Sequence, residues 1–381
     1  FVSICGGKMK VNFLDLKSQY LSIKDEIDEA IQNVLINTAF TAGPYVKSFE
    51  DNFAKRHNAK YCVGVNNGTS ALHAALMALE IKAGDEVIVP VNTFFATPES
   101  VSLTGATPVF VDCEGKFYNI DPDKIENAIT KNTKAIIAVN LYGQPAQLNK
   151  IKEIADKHNL ILIEDCAQSH ISELNGQSVG TYGLCGCFSF YCGKNLGAYG
   201  EGGAVITNDE KLYKKIMMIR DHGMSQKYHH EIVGHNYRME GIQGAILDVK
   251  LKYLDEWTVT RRKNAELYGK YLKDCKEIVL PEEMPNAKHV YHLFVIRAER
   301  RDELMDYLKE NEIYTGLHYP IPCHLQNAYK FLGYKEGDFP VSEKYSTEIL
   351  SLPMSEQLKE DEIKYVSEKI KEFYTNSMFG V

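Results

Sequence analysis

The chain has 381 residues, 44% of them hydrophobic and 25% charged, with a formal net charge of -8. That length exceeds one small core and accommodates a large α/β domain with a smaller companion. The acidic balance argues against a nucleic-acid surface, which needs clustered Lys and Arg, and no apolar run reaches the ~18–20 residues of a membrane-spanning helix.

Residues 1–8 lack the basic start and long apolar stretch of a signal peptide, and Met9 reads as the natural start, with the segment before it foreign. From position 61 onward, short β-branched runs recur at the spacing of a wound sheet, over 61–65, 86–89, 107–111, 134–139, 160–163, 186–189 and 203–206. Amphipathic helical stretches separate several of them, at 70–79, 122–129 and 148–158. Strands alternating with helices imply a mostly parallel sheet covered on both faces, with ligands bound beyond the carboxyl ends of the strands. The stretch 211–272 reads as largely helical, with strong helix formers at 239–251 and 261–272. A strand at 291–297, a helix at 300–310 and a closing helix at 360–374 give a second, smaller α+β unit. The expected division is a large domain over 10–252 and a small one over 253–381. Nine cysteines, odd in number and scattered, suit a reduced cytoplasmic protein better than a disulfide framework. Cys185, Cys187 and Cys192 lack a second paired cluster, so no metal site is expected.

Three constellations carry chemistry. Asn67-Gly68-Thr69-Ser70 follows a strand and opens a helix, where bare N–H groups and hydroxyls at the positive helix end make a phosphate cradle or an ordinary N-cap. The run Ile161-Leu162-Ile163-Glu164-Asp165 brings a carboxylate to the ligand edge of the sheet. There Asp165 serves as a partner for a protonated pyridine nitrogen, as a helix cap or as a metal ligand. In Cys192-Gly193-Lys194-Asn195-Leu196-Gly197 a lysine sits between glycines directly after a strand. Burial there would lower its pKa and free the amine to attack an aldehyde; the plain alternative is a surface charge. No Gly-x-Gly-x-x-Gly follows the first strand, which argues against a nicotinamide-dependent oxidoreductase, and no P-loop or Gly-x-Ser-x-Gly elbow is present.

In this order the motifs resemble the sugar aminotransferase family named after DegT, DnrJ and StrS, from Phe13-Leu14-Asp15-Leu16 to Leu352-Pro353-Met354. Gly43-Pro44, Gly84-Asp85-Glu86-Val87, Thr93-Phe94, Tyr142-Gly143-Gln144 and Ser189-Phe190-Tyr191 add to the likeness. The resemblance implies a fold type I, pyridoxal-5'-phosphate-dependent aminotransferase, working as a homodimer with active sites at the subunit interface. It implies that Lys194 forms the Schiff base and shuttles the proton, and that Asp165 pairs with the pyridine nitrogen. Gly68, Thr69, Ser70 and Ser189 match the phosphate contacts, and Phe94 the stacking aromatic. Gln168 matches the group near the other ring face or the cofactor hydroxyl, and Asn236 the asparagine that reaches the partner's phosphate. Lys194 also separates the chain from related dehydratases, which carry histidine there. The sequence departs from the family pattern at Cys192, at Ile171 and Ser172, and at Leu184, which bears on loop shape beside the cofactor.

By the same resemblance, L-glutamate donates the amino group and a nucleotide-linked keto-sugar accepts it. Tyr228-His229-His230, the segment 236–243 and the helix near 250–257 favour C3 of a dTDP-3-keto-6-deoxyhexose. Amination at C4 of a nucleotide-linked 4-keto-6-deoxyhexose, and a non-catalytic cofactor-bound regulator, are the alternatives. His318, Tyr319, His324 and Gln326 form a family-like loop expected near the sugar or in domain packing. Lys227, His229 and Arg238 are cationic candidates for the diphosphate.

Overall fold

The computed structural model describes residues 8–378, so the reading of the opening segment as foreign falls, for residues 1–7, outside the described part. Three helices come first: α1 (Leu16–Ser22), α2 (Lys24–Ile36) and α3 (Gly43–Arg56). Then follow β1 (Tyr61–Val65), α4 (Gly68–Ala78), β2 (Glu86–Pro90), α5 (Ala96–Leu103), β3 (Thr107–Val111), α6 (Pro122–Ala128), β4 (Thr133–Val139), α7 (Leu148–Lys157) and β5 (Ile161–Asp165). A small hairpin, β6 (Glu173–Leu174) and β7 (Gln177–Ser178), precedes β8 (Cys185–Ser189), β9 (Gly203–Thr207) and α8 (Glu210–Arg220).

These strands build one seven-stranded sheet in the order β1-β9-β8-β5-β4-β2-β3. β3, β2, β4, β5 and β8 pair in parallel, and β9 alone runs against its neighbours β8 and β1. The fold is the expected α/β class, and each of the seven expected strands is present. Alternate residues feed two separate cores. Ile88, Ile136, Leu162 and Phe188 enter one; Val87, Val89, Ala135, Ile137, Ile163 and Cys187 enter the other. Both faces are therefore covered, which is why the strands read as unbroken apolar runs. Glu164 and Asp165 obey the same alternation. Glu164 is fully buried and accepts the backbone N–H of Gly180 at 2.7 Å, Tyr182 at 2.8 Å and Gly183 at 2.9 Å. It ties down the turn before β8, and Asp165 turns the other way, toward the site.

The stretch 211–272 is largely helical, as expected, but it carries one long interruption. Helix α8 ends at Arg220, and the chain forms a hairpin of β10 (Met224–Gln226) and β11 (His229–His230) before α9 (Gly241–Leu251). The break is built on Gly223, at φ +76°, where an added Cβ would lie 1.7 Å from the Ile232 carbonyl oxygen. Only a glycine admits that crossing. After α10 (Leu254–Leu272) come β12 (Ile278–Val279), β13 (Ala287–Lys288), which pairs with β6, β14 (Phe294–Ala298), α11 (Arg301–Glu310), α12 (Pro340–Glu348), β15 (Ile349–Leu352) and α13 (Glu360–Met378). β12, β14 and β15 form an antiparallel sheet. Its apolar core includes Tyr268, Phe294, Leu304, Leu308, Val366 and Ile370, joined by Val11 from the other end of the chain. Among the described residues no helix is long and apolar enough to cross a membrane, and no His, Cys, Asp and Glu cluster could hold a metal.

Candidate active site

A cavity of about 770 Å³ opens beyond the strand ends, between the sheet and the pairs His292-Leu293 and His318-Tyr319. One wall is the start of α4. Asn67 caps this helix, its Oδ1 accepting the Ser70 N–H at 2.8 Å, and Gly68, Thr69 and Ser70 face the cavity. Gly68 lies against Ser189: a Cβ added to it would sit 2.6 Å from the Ser189 Cβ. The glycine thus leaves bare backbone at the positive end of an 11-residue helix, flanked by three hydroxyl groups, which is the chemistry of an anion cradle.

Asp165, the last residue of β5, is 5% exposed. Its Oδ2 accepts from Thr97 Oγ1 at 2.8 Å and its Oδ1 from the Ala167 N–H at 3.0 Å. Burial raises the carboxyl pKa, while these two donors and the nearby Lys194 ammonium pull it back. Lys194 lines the same cavity from the glycine-flanked loop after β8. Burial lowers its pKa to about 8, with Asp165 acting in the opposite direction. Desolvation sets the amine and the acid penalises its neutral form too little to reverse the shift. The loop is held tightly. Lys194 N donates to Tyr191 O at 2.8 Å, Lys250 Nζ on α9 donates to Gly197 O at 2.6 Å, and Gln243 Oε1 accepts the Tyr199 N–H at 2.9 Å.

Of the other residues singled out in the sequence, Phe94, Gln168, Ser189, His318 and Tyr319 also line the cavity. Gln168 is fixed by accepting the Tyr142 N–H at 2.6 Å and donating to Tyr319 Oη at 3.1 Å. Phe94 is 56% exposed, its ring 5.5 Å from that of Tyr319. The remaining candidates do not line the cavity formed by this chain. Asn236 is exposed on a bridge to Asp221, and Lys227 and His229 lie exposed on the β10–β11 hairpin. Arg238 is ion-paired with Asp221. His324 is buried, its Nε2 3.0 Å from Glu343 Oε1 and its ring 4.6 Å from that of Phe339, and Gln326 bonds the Ile321 carbonyl. The packing alternative for the latter two is what the geometry offers. The structure adds wall residues that the sequence reading did not single out: Thr97, Tyr237, His73 and His292. Thr97 had a local signal, lying one turn beyond Thr93-Phe94. His292 had none.

These groups match the parts of a phosphorylated pyridine aldehyde: an anion cradle, a buried carboxylate for a ring nitrogen, and an amine of lowered pKa for the aldehyde carbon. Residues 21–371 match the DegT/DnrJ/EryC1/StrS aminotransferase family. A relative from Geobacillus stearothermophilus, named a pleiotropic regulatory protein, is 47% identical over 96% of this chain and 99% of its own. The dTDP-3-amino-3,4,6-trideoxy-alpha-D-glucose transaminase of Streptomyces venezuelae is 41% identical over 96% of each chain. The UDP-N-acetyl-3-dehydro-alpha-D-glucosamine 3-aminotransferase of Acidithiobacillus ferrooxidans is also 41% identical, over 95% of this chain and 97% of that one. The crystal structure of S. venezuelae DesV in complex with a ketimine intermediate superposes with a TM-score of 0.94 at 41% identity, covering 96% of this chain and 98% of that one. On a likeness that runs along nearly its whole length, the chain belongs to the DegT/DnrJ/EryC1/StrS aminotransferase family of pyridoxal-phosphate-dependent sugar aminotransferases.

Proposed function

We propose that the protein moves an amino group from L-glutamate to C3 of a dTDP-linked 3-keto-6-deoxyhexose, in the cytoplasm and as a homodimer with shared active sites. The observation that carries the reading is a lysine of lowered pKa in one cavity with a buried carboxylate and an open helix N-terminus. The C3 position and the dTDP carrier are supported by the name of the S. venezuelae relative; the A. ferrooxidans relative shares the C3 position with a UDP carrier. On this reading 10–252 is the cofactor-binding unit and 253–381 its companion.

Bound pyridoxal phosphate supplies an aldehyde and an electron-accepting ring, which together make the α-proton of the amino donor acidic. The chain's own residues do the rest. Gly68, Thr69, Ser70 and Ser189 hold the phosphate, and Asn236 of the partner subunit reaches the same group. Asp165 keeps a negative charge against the ring nitrogen, with Thr97 and the Ala167 N–H orienting it. Phe94 and Gln168 confine the ring. Lys194 would hold the cofactor at its aldehyde carbon, and its amine would move the proton between carbon atoms. With a pKa of about 8, roughly a quarter of its amine is unprotonated at pH 7.5, against about one part in a thousand at 10.5. His318 and Tyr319 face the sugar, and Lys227, His229 and Arg238, away from this chain's own cavity, are assigned to the diphosphate across the dimer.

The test is to incubate the holoenzyme with L-glutamate and follow cofactor absorbance, then add dTDP- and UDP-linked 3-keto and 4-keto sugars and read the aminated position by NMR. Exclusive C4 amination would replace the C3 reading. A second reading, a non-catalytic regulator, is favoured by the name of the G. stearothermophilus relative. It predicts no spectral change with glutamate at all.

A further inference from the structure

The segment before β14 places in the cavity wall a side chain that the mechanism above leaves unused. His292 lines the cavity yet is only 8% exposed. Its backbone is fixed on both sides. Val290 N donates to Gly143 O at 2.9 Å and Leu293 N to Tyr142 O at 3.2 Å, while Arg261 Nη1 donates to the carbonyls of Tyr291 at 3.2 Å and His292 at 3.4 Å.

The ring's tautomer follows from its neighbours. Asn195 Nδ2 lies 3.1 Å from the Val290 carbonyl oxygen, which only accepts, so the amide must present its N–H₂ there. The amide oxygen then faces His292, whose Nδ1 is 3.1 Å away. That oxygen has no hydrogen to give, so Nδ1 carries the proton. A neutral ring protonated on Nδ1 bears a lone pair on Nε2. The ring is neutral: burial, with Lys194 and Arg261 nearby, holds its pKa well below 6.5. Among the described residues nothing donates to Nε2, this atom is not sealed from solvent, and the residue that carries it lines the cavity. His318, in the same wall, allows no such deduction, because its Nδ1 partner is the Ser351 hydroxyl, which both gives and takes.

We propose that His292 Nε2 accepts a hydrogen bond from a hydroxyl of the keto-sugar, and so serves the sugar half-reaction and not the glutamate half-reaction. The chemistry separates the two ligands. Glutamate offers two carboxylates, which are acceptors only and repel a lone pair, and its amino group is taken up by the reaction itself. A keto-sugar offers hydroxyls, which donate. The inference rests on the aminotransferase reading and names a residue that discriminates within it.

The test uses the holoenzyme, His292→Phe, which keeps the ring's bulk and removes the acceptor, and His292→Gln, which restores a carbonyl acceptor. The two half-reactions are followed separately by cofactor absorbance. The expected result for His292→Phe is a glutamate half-reaction within about threefold of wild type and a sugar kcat/KM lower by about tenfold or more, partly restored in His292→Gln. A sugar lacking the contacted hydroxyl should show no difference between wild type and His292→Phe. An unchanged sugar half-reaction, or an equal fall in both half-reactions, overturns the proposal. Wild-type enzyme that reacts with glutamate and with no sugar would remove the acceptor assignment and this inference together. Should the variants not fold, ¹⁵N spectra of histidine-labelled wild type supply the readout. The unprotonated nitrogen of His292 should shift when the aminated sugar binds and stay put with glutamate; the reverse pattern counts against it.

Discussion

At the scale of single residues, the cavity is governed by how few of its charged groups meet water. Lys194 shows the consequence most directly: an amine pushed to about pH 8 by burial is a nucleophile at neutrality. Lys194→Ala should abolish both half-reactions, and the absorbance change on borohydride treatment should vanish with them; substantial residual turnover would remove the assignment. Thr97 is subtler. It supplies one of two donors that pull the Asp165 pKa down against burial. Thr97→Val removes that donor, so the carboxyl pKa rises further and its ionised fraction near neutrality falls. The acid limb of the kcat profile should move to higher pH with a loss of about tenfold, in line with ~1.5–3 kcal/mol for a hydrogen bond to a charged group. Unmoved pH dependence would count against it. Lys194, Asp165 and Gly68 were legible in the sequence because each sits in a short pattern with its own local reason: a lysine between glycines, an acid ending an apolar run, a glycine opening a helix. His292 was not, since its partner lies 97 positions away, and although Thr97 stands one turn beyond Thr93-Phe94, its role on Asp165, 68 positions away, shows only in the folded chain.

At the scale of elements, strands read more easily than helices. A parallel strand covered on both faces needs nearly every residue apolar, so β2, β4 and β5 announce themselves. Helix α2 buries only Ile27 and Val34 of its 13 residues, a stripe too thin to stand out. The break at 221–240 turns on a backbone crossing at Gly223 that no periodicity records. Helix α4 is the element on which cofactor affinity should depend most. Gly68→Ala would drive a methyl into Ser189, and the strain falls on both sides of the cradle. The expected result is a fall in pyridoxal-phosphate affinity of at least tenfold, read by cofactor titration, with ~1–3 kcal/mol lost from the folded state. Unchanged affinity would mean the phosphate sits elsewhere.

At the scale of the whole molecule, several histidines are buried uncharged. His57 is held at about 4, and His170 and His289 at about 3, in each case chiefly by burial. Unfolded, each binds a proton as pH falls through 6.5; folded, none does until near 4 or 3. The unfolded state therefore gains protons, and stability falls by about 1.4 kcal/mol per histidine per pH unit below 6.5. Glu164 and Asp165, whose pKa values are raised by burial, work in the opposite direction at the acid end of that window. Thermal unfolding should show a steep loss of Tm between pH 6.5 and 5, and potentiometry a net proton uptake on unfolding; no uptake would contradict the buried neutral state. Asn236 belongs to this scale as well, being exposed and absent from its own chain's cavity. If it completes the partner's cradle, mixing unfolded and refolded Lys194→Ala with Asn236→Asp, each inactive, should restore about a quarter of wild-type activity through mixed dimers. No recovery would place both groups in one subunit's site. The two consecutive acids of β5 serve opposite sides of the sheet, one clamping a turn and the other meeting the reactants, so the strand's residue count is locked from both directions. Deleting a single residue inside β5 would send each acid to its neighbour's post and forfeit architecture and chemistry in one stroke.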